Sequence, residues 1–223
     1  MQIFDLDLQE LPFFHGLQPG EVEQFIKNTG ALVKRYCKGT RVLAAYEPNA
    51  QIAILVEGEA LVLAEDRFGN ESVSHELGRG SMFGSTSAIM PQFSNHTSVE
   101  AVTDVLVLWV PYRSLLTAGP KLGKIHGIVM KNLLEAFCIK SIYMMQKIEL
   151  LAQKTLRERL ILYLLQREER QGEDRVKVPG RVQLAKEIEC NRSALTREVN
   201  QMRDEGVLEC GTGWMRLLQK DAE

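Results

Sequence analysis

The spacing of apolar residues changes twice along this chain. From about residue 11 to 116, apolar positions fall in short runs such as 52–56, 60–64 and 105–110. Turn signals separate the runs: Lys38-Gly39, Glu57-Gly58-Glu59, Arg67-Phe68-Gly69-Asn70 and Gly78-Arg79-Gly80. Many short strands broken at such intervals predict a small antiparallel barrel or jelly roll. The segment before Leu32 reads as a short helical lead-in. From about 122 to 152 there is no proline, and the pattern becomes helical. One heptad frame places Met130, Leu134, Phe137, Ser141, Met144, Ile148 and Leu151 on a single seam. A second, weaker stripe holds Val129, Leu133, Ala136 and Tyr143. Two stripes on one helix predict that one packs on the chain's own barrel and the other on a partner helix, hence a homodimer.

The last third predicts a compact helical unit. Leu156, Leu160, Tyr163 and Leu164 form an amphipathic helix, and residues 167–175, REERQGEDR, read as a polar hinge. A short strand is expected at Val176, Lys177 and Val178. Leu184 and Ile188 then supply an i, i+4 pair for a first short helix. Asn191 is a suitable N-cap for a second. Leu195, Val199 and Met202 recur on one stripe of that helix at about 100° per residue. Arg192, Ser193, Thr196, Arg197 and Asn200 fall on the opposite side. Asp204, Glu205 and Gly206 end the helix, and the tail LECGTGWMRLL reads as a hairpin turning at Gly211-Thr212-Gly213.

Two helices followed by a hairpin describe a winged helix-turn-helix. Arg, Ser, Thr, Arg and Asn on one open face suit a DNA major groove, because Arg can bond guanine O6 and N7 together and the shorter side chains reach other base edges or phosphates. A dimer would meet a two-fold symmetric site with half-sites about one helical turn apart. An ordinary helical hairpin with a solvated face fits the same pattern taken alone.

Composition narrows the class without deciding it. The 223 residues carry a formal charge of −2, which leaves nucleic-acid binding to a local face rather than to the whole surface. No apolar run approaches the ~20 residues of a membrane span, and the acidic start MQIFDLDLQELPFFHG lacks a secretory pattern. A cytoplasmic protein with no membrane partner is expected. Cys37, Cys138, Cys190 and Cys210 show no CxxC spacing and read as free or buried thiols. An enzyme of the cupin type would need clustered metal ligands. The chain offers only His75-Glu76 and His96, with no nucleophile elbow or phosphate loop, so no enzyme and no metal site are expected.

The order of parts resembles the Crp/Fnr superfamily, that of the cyclic-AMP receptor protein and the fumarate–nitrate regulator. The resemblance is carried by LPFFHGL at 11–17, YCKGTRVL at 36–43, ILVEGEALVL at 54–63, LGRGSMFG at 77–84 and LAKEIECNRSALTREVNQMRDEGVL at 184–208. It implies an α+β chain: an antiparallel β-roll sensor at 1–120, a long dimerisation helix at 121–153 and a winged helix-turn-helix at 154–223. It implies a homodimeric transcription regulator whose sensor takes a small effector and repositions the DNA-binding helices about a hinge at 153–156. Double-stranded DNA and RNA polymerase are then its expected partners. Arg192, Ser193 and Arg197 fall where the family reads bases. Arg181 and Gln183 fall where phosphate contacts position the protein. The family's turn usually holds Gly where this chain has Glu189, and a non-Gly residue there costs on the order of 1 kcal/mol in a left-handed pose.

For the effector, the matching stretch is FGSTSAIMPQFSNHTSVEA at 83–101. Cyclic-nucleotide-binding members place a Glu for the ribose and an Arg-Ser pair for the phosphate there. Ser85 occupies the Glu position and Asn95-His96 fall near the Arg-Ser pair, which argues against cyclic AMP. The expected site is formed by Gly84, Ser85, Thr86, Asn95, His96 and Thr97 with Lys140 and Met144 of the long helix, holding a small apolar or anionic metabolite. The iron–sulfur members' cluster of N-terminal cysteines is missing before Cys37. The haem-based carbon monoxide sensor has Cys and His where Gly84 and Thr86 stand. A haem sensor using His15, His75, His96, His126 or a thiol, and a thiol switch, stay open, so the cofactor is undetermined. A sensor dimer acting through a protein partner without DNA is the remote alternative.

Overall fold

The computed structural model describes residues 7–65, 71–92 and 96–218. Its contacts divide into two units, Met1–Ala136 and Phe137–Glu223.

Among the described residues the first unit begins with the 3-10 turns Leu8–Glu10 and Pro12–Phe14 and a helix, α1 (Pro19–Thr29). Phe13, Phe14 and Phe25 are buried and meet edge to face, with ring centroids 5.0–5.8 Å apart. Eight strands follow among the described residues: β1 (Leu32–Tyr36), β2 (Arg41–Leu43), β3 (Gln51–Glu57), β4 (Ala60–Glu65), β5 (Glu71–Leu77), β6 (Met82–Phe83), β7 (Thr97–Ala101) and β8 (Val105–Pro111). They form two antiparallel sheets, ordered β1-β8-β3-β6 and β2-β7-β4-β5. The β-roll is therefore as the sequence predicts. Side chains inside it alternate with outward ones, as pleating requires. On paired β4 and β7, Val62 faces Val99 and Ala60 faces Ala101 inside the core, while Leu61 and Glu100 lie on the other face. Trp109 closes that core against Phe83 at 5.8 Å.

Gly58 makes the β3–β4 turn at φ +86°, and a Cβ on it would lie 2.3 Å from the Asp104 carbonyl oxygen. Only glycine fits there. Between β6 and β7 lies α2 (Ser85–Ile89); after Pro111 the chain leaves the sheet for α3 (Tyr112–Thr117), α4 (Gly119–Leu122) and the long helix α5 (Lys124–Ala152). Asn132 on α5 is buried and donates to the carbonyls of Phe13 and His15, at 3.1 and 2.9 Å. It ties the lead-in to the long helix. Val129 and Leu133 beside it are buried.

The second unit takes up α5 from Phe137. Here Leu150 is buried, but Ile139, Ile142, Tyr143, Met144, Met145 and Ile148 are exposed. Thr155 and Glu158 form a reciprocal capping box that starts α6 (Leu156–Gln171), which ends at Gly172 in a left-handed cap. Residues 167–171 are thus the last turn of α6 and not the hinge that their charge suggests. The guanidinium groups of Arg167 and Arg170 lie over the rings of Tyr163 and Tyr143. Then come β9 (Val176–Lys177), α7 (Arg181–Glu187), α8 (Arg192–Asp204), β10 (Leu208–Gly211) and β11 (Trp214–Leu217). The sheet order β10-β11-β9 and the two-residue turn at Thr212-Gly213 give the expected wing. Leu160, Leu164, Leu184, Ile188, Leu195, Val199 and Met202 share one buried core.

Candidate nucleic-acid interface and effector site

On α8, Leu195, Val199 and Met202 are fully buried, which turns the other side of the helix outward. Arg192, Ser193, Thr196, Arg197 and Asn200 are all exposed on that side. Asn191 sits at the N-cap in extended backbone, although its side chain makes no capping bond. The Thr196 hydroxyl donates to the Arg192 carbonyl at 2.9 Å. Of the first helix's candidates, Gln183 is exposed and reaches Glu187 Oε1 at 3.4 Å, and Arg181 is half-buried with its guanidinium 4.0 Å from Met215 Sδ.

The arginines of this unit fall into two groups. Arg157 bridges Glu198 at 2.7 Å and Glu205 at 2.6 Å, Arg167 meets Glu187 at 3.0 Å, and Arg216 meets Asp174 at 2.7 Å. Arg203 pairs with Asp204, and Arg175 lies over Trp214. Arg192 and Arg197 alone in the unit have no guanidinium partner among the described residues. Two cations left uncommitted on one exposed helix face can accept an anionic partner without first breaking an internal pair.

The turn between α7 and α8 contains Glu189 at φ +51°. The left-handed pose, which favours Gly, is thus kept by a Glu. Arg159 donates from its Nη1 to the carbonyls of Ile188 and Glu189, both at 3.1 Å. Lys147 donates to the Glu187 carbonyl and lies 3.6 Å from Glu189 Oε1. None of these supports was visible in the sequence, since Lys147 and Arg159 lie about 30–42 residues away.

The effector candidates divide between the two units. Gly84 precedes α2 at φ +69°, and a Cβ there would meet Asn49 Nδ2 at 2.9 Å. Ser85 is buried, Thr86 exposed, and Thr97 half-buried opposite Ala64. His96 is exposed, with Nδ1 3.4 Å from the Tyr46 hydroxyl and the two rings edge to face. Asn95 lies outside the described residues. Lys140 and Met144 are exposed on α5 within the second unit. Sequence reasoning missed Asn49, whose amide reaches the Gly84 carbonyl, the Gln51 carbonyl and Ser87 Oγ at 2.8–3.1 Å. It also missed Tyr46, a bulky residue at φ +62°.

Of the histidines named as haem candidates, His15 and His75 are exposed, and His126 holds the Leu115 carbonyl at 2.9 Å. Burial raises the pKa of the Cys190 thiol. Among the described residues no group of three or more His, Cys, Asp or Glu is arranged to hold a metal ion. No described helix is long and apolar enough to cross a membrane.

Residues 33–118 match the family model of the cyclic nucleotide-binding domain. No curated protein matches the chain. Solved structures do, along nearly its whole length. The catabolite activator protein of Thermus thermophilus is 22% identical, with a TM-score of 0.54 and 94% of each chain covered. CprK complexed with OCPA is 17% identical with a TM-score of 0.65, over 88% of this chain and 90% of that one. A protein described as a transcriptional regulator of the crp/fnr family from Eubacterium rectale is 18% identical, with a TM-score of 0.50 and 94% of each chain covered.

The chain has the fold of these solved structures. Within that fold the β-roll is the part matched by the cyclic nucleotide-binding model, and β1 to α3 fill its span. Ser85 and His96 lie inside the matched span. Outside the matched span, α7, α8 and the β10–β11 hairpin form a winged helix-turn-helix arrangement.

Proposed function

We propose that this protein is a homodimeric, DNA-binding transcription regulator that responds to a small molecule other than cyclic AMP. The observation that carries the reading is the pair Arg192 and Arg197, exposed and uncommitted on α8 while the unit's other arginines are engaged. Ser193, Thr196 and Asn200 complete a face able to bond base edges, and in this reading Arg181 and Gln183 contact phosphates. The exposed apolar side of α5 from Leu134 to Ile148 supports pairing with a second copy. RNA polymerase is a further partner in this reading, and no catalysis is involved.

The sensor reading rests on the β-roll and the segment around Gly84, Ser85, Thr86, His96 and Thr97. A buried serine in place of the ribose-binding carboxylate supports an effector other than a cyclic nucleotide. Native mass spectrometry of anaerobically purified protein tests the mode directly, because a haem-sized or metabolite-sized adduct on a dimer identifies its class. Selection from a random duplex pool tests DNA binding. A symmetric site is expected, and Arg197→Ala then weakens it by roughly 1–3 kcal/mol and relaxes its sequence preference. Recovery of no preferred duplex by apo or effector-loaded protein would sink the reading.

A further inference from the structure

Lys147 of the long helix is placed to hold the recognition helix through its turn. The turn residue Glu189 is at φ +51°, a conformation that L side chains rarely adopt. Its neighbours are unusually well held. The Lys147 ammonium donates to the Glu187 carbonyl, a free group at the end of α7, and faces the Glu189 carboxylate at 3.6 Å. Arg159 takes the next two carbonyls, Ile188 and Glu189. The Glu189 side chain is 61% exposed, so the ion pair is a weak source of stability by itself. Its geometry matters more, because it joins α5 to the residue that sets the exit direction of α8.

We propose that Lys147 is a positioning residue for DNA recognition: with Glu189 it latches the helix-turn-helix turn to α5, so that the pose of α8 follows that of the long helix. A glycine at 189 would make the turn self-sufficient and leave no carboxylate for α5 to hold. Glu makes the same turn dependent on a cation supplied by another element. The inference rests on the DNA-binding reading of α8 for its consequence, but the latch itself is independent of DNA.

The test uses the full-length protein and two readouts. Hydrogen–deuterium exchange follows the amides of Ile188, Glu189 and Cys190, which bond back to Leu184, Lys186 and Ala185. Duplex affinity is measured on the selected site across a salt series. Lys147→Met keeps the apolar stem and is expected to speed exchange at these amides and weaken binding about threefold to tenfold, with the salt slope unchanged; Lys147→Arg restores both. A phosphate-contacting lysine would instead lower the slope by about 1. Adding Lys147→Met to Glu189→Gly should change exchange less than it does in the wild-type chain. Unchanged exchange in Lys147→Met, an equal effect in both backgrounds, or a reduced salt slope would each overturn the proposal. A wild-type protein without DNA affinity would refute the regulator reading, while the exchange experiment would still decide the latch.

Discussion

The Tyr163 hydroxyl donates to the Glu187 carboxylate at 2.6 Å and so fastens α6 to the end of α7. Arg167 binds the same carboxylate oxygen at 3.0 Å while lying over the Tyr163 ring. Burial and the adjacent Glu187 push the Tyr163 pKa well above its ordinary value of 10.0. Below pH 10 the hydroxyl is protonated in the folded and unfolded chains alike, and its contribution to stability is complete. Above it the unfolded chain loses the proton while the folded one keeps it, so stability falls as pH rises towards the folded pKa. Tyr163→Phe should lower stability by about 1.5–3 kcal/mol at neutral pH. It should also flatten the alkaline limb of a denaturation–pH series.

Acid acts through different groups. Arg157 and then Gln201 hold the Glu205 carboxyl below its ordinary 4.5, and the amide and hydroxyl of Thr155 do the same for Glu158. Both carboxylates stabilise the fold fully above pH 4.5. That contribution is lost as pH falls through their lower folded values, because the unfolded chain takes up protons first. Melting temperature should therefore drop below pH 4.5, and the drop should shrink in a Glu158→Gln, Glu205→Gln double variant.

Gly58→Ala should be severe for a single methyl group. The new Cβ would lie 2.3 Å from the Asp104 carbonyl oxygen, at a φ of +86° that alanine disfavours. A loss of about 1–3 kcal/mol is expected for the backbone pose alone, before any steric shift. Thermal denaturation measures it, with Gly20→Ala as the comparison, since nothing lies within 4 Å of a Cβ there.

Ile148→Glu places a charge on the exposed α5 seam, where Ile148 is 66% exposed. Sedimentation velocity should show a shift from dimer to monomer, with little change in the folded content of the isolated chain. An unaltered dimer would place self-association on another face.

The strands and α8 were legible because each writes its period directly. Turn glycines such as Gly58 and Gly80 bracket β4 and β5, and Leu195, Val199 and Met202 declare the buried side of α8. The last turn of α6 was less legible. Its charges read as a linker until Arg167 and Arg170 are seen lying over Tyr163 and Tyr143. The tie from Asn49 to Gly84 spans 35 positions, and the tie from Lys147 to Glu187 spans 40. No local period encodes either. Glu189 is intermediate: its identity signals strain, but not the cations that hold it.

Trp109 is packed beside Phe83 in the β-roll core, and Trp214 lies under the Arg175 guanidinium on the wing. The chain has these two tryptophans and no others. Each unit thus carries one tryptophan, in a different electrostatic setting. Trp109→Phe or Trp214→Phe leaves a single tryptophan, so emission excited beyond the tyrosine absorption band can separate loosening of the sensor core from release of the wing without any attached dye.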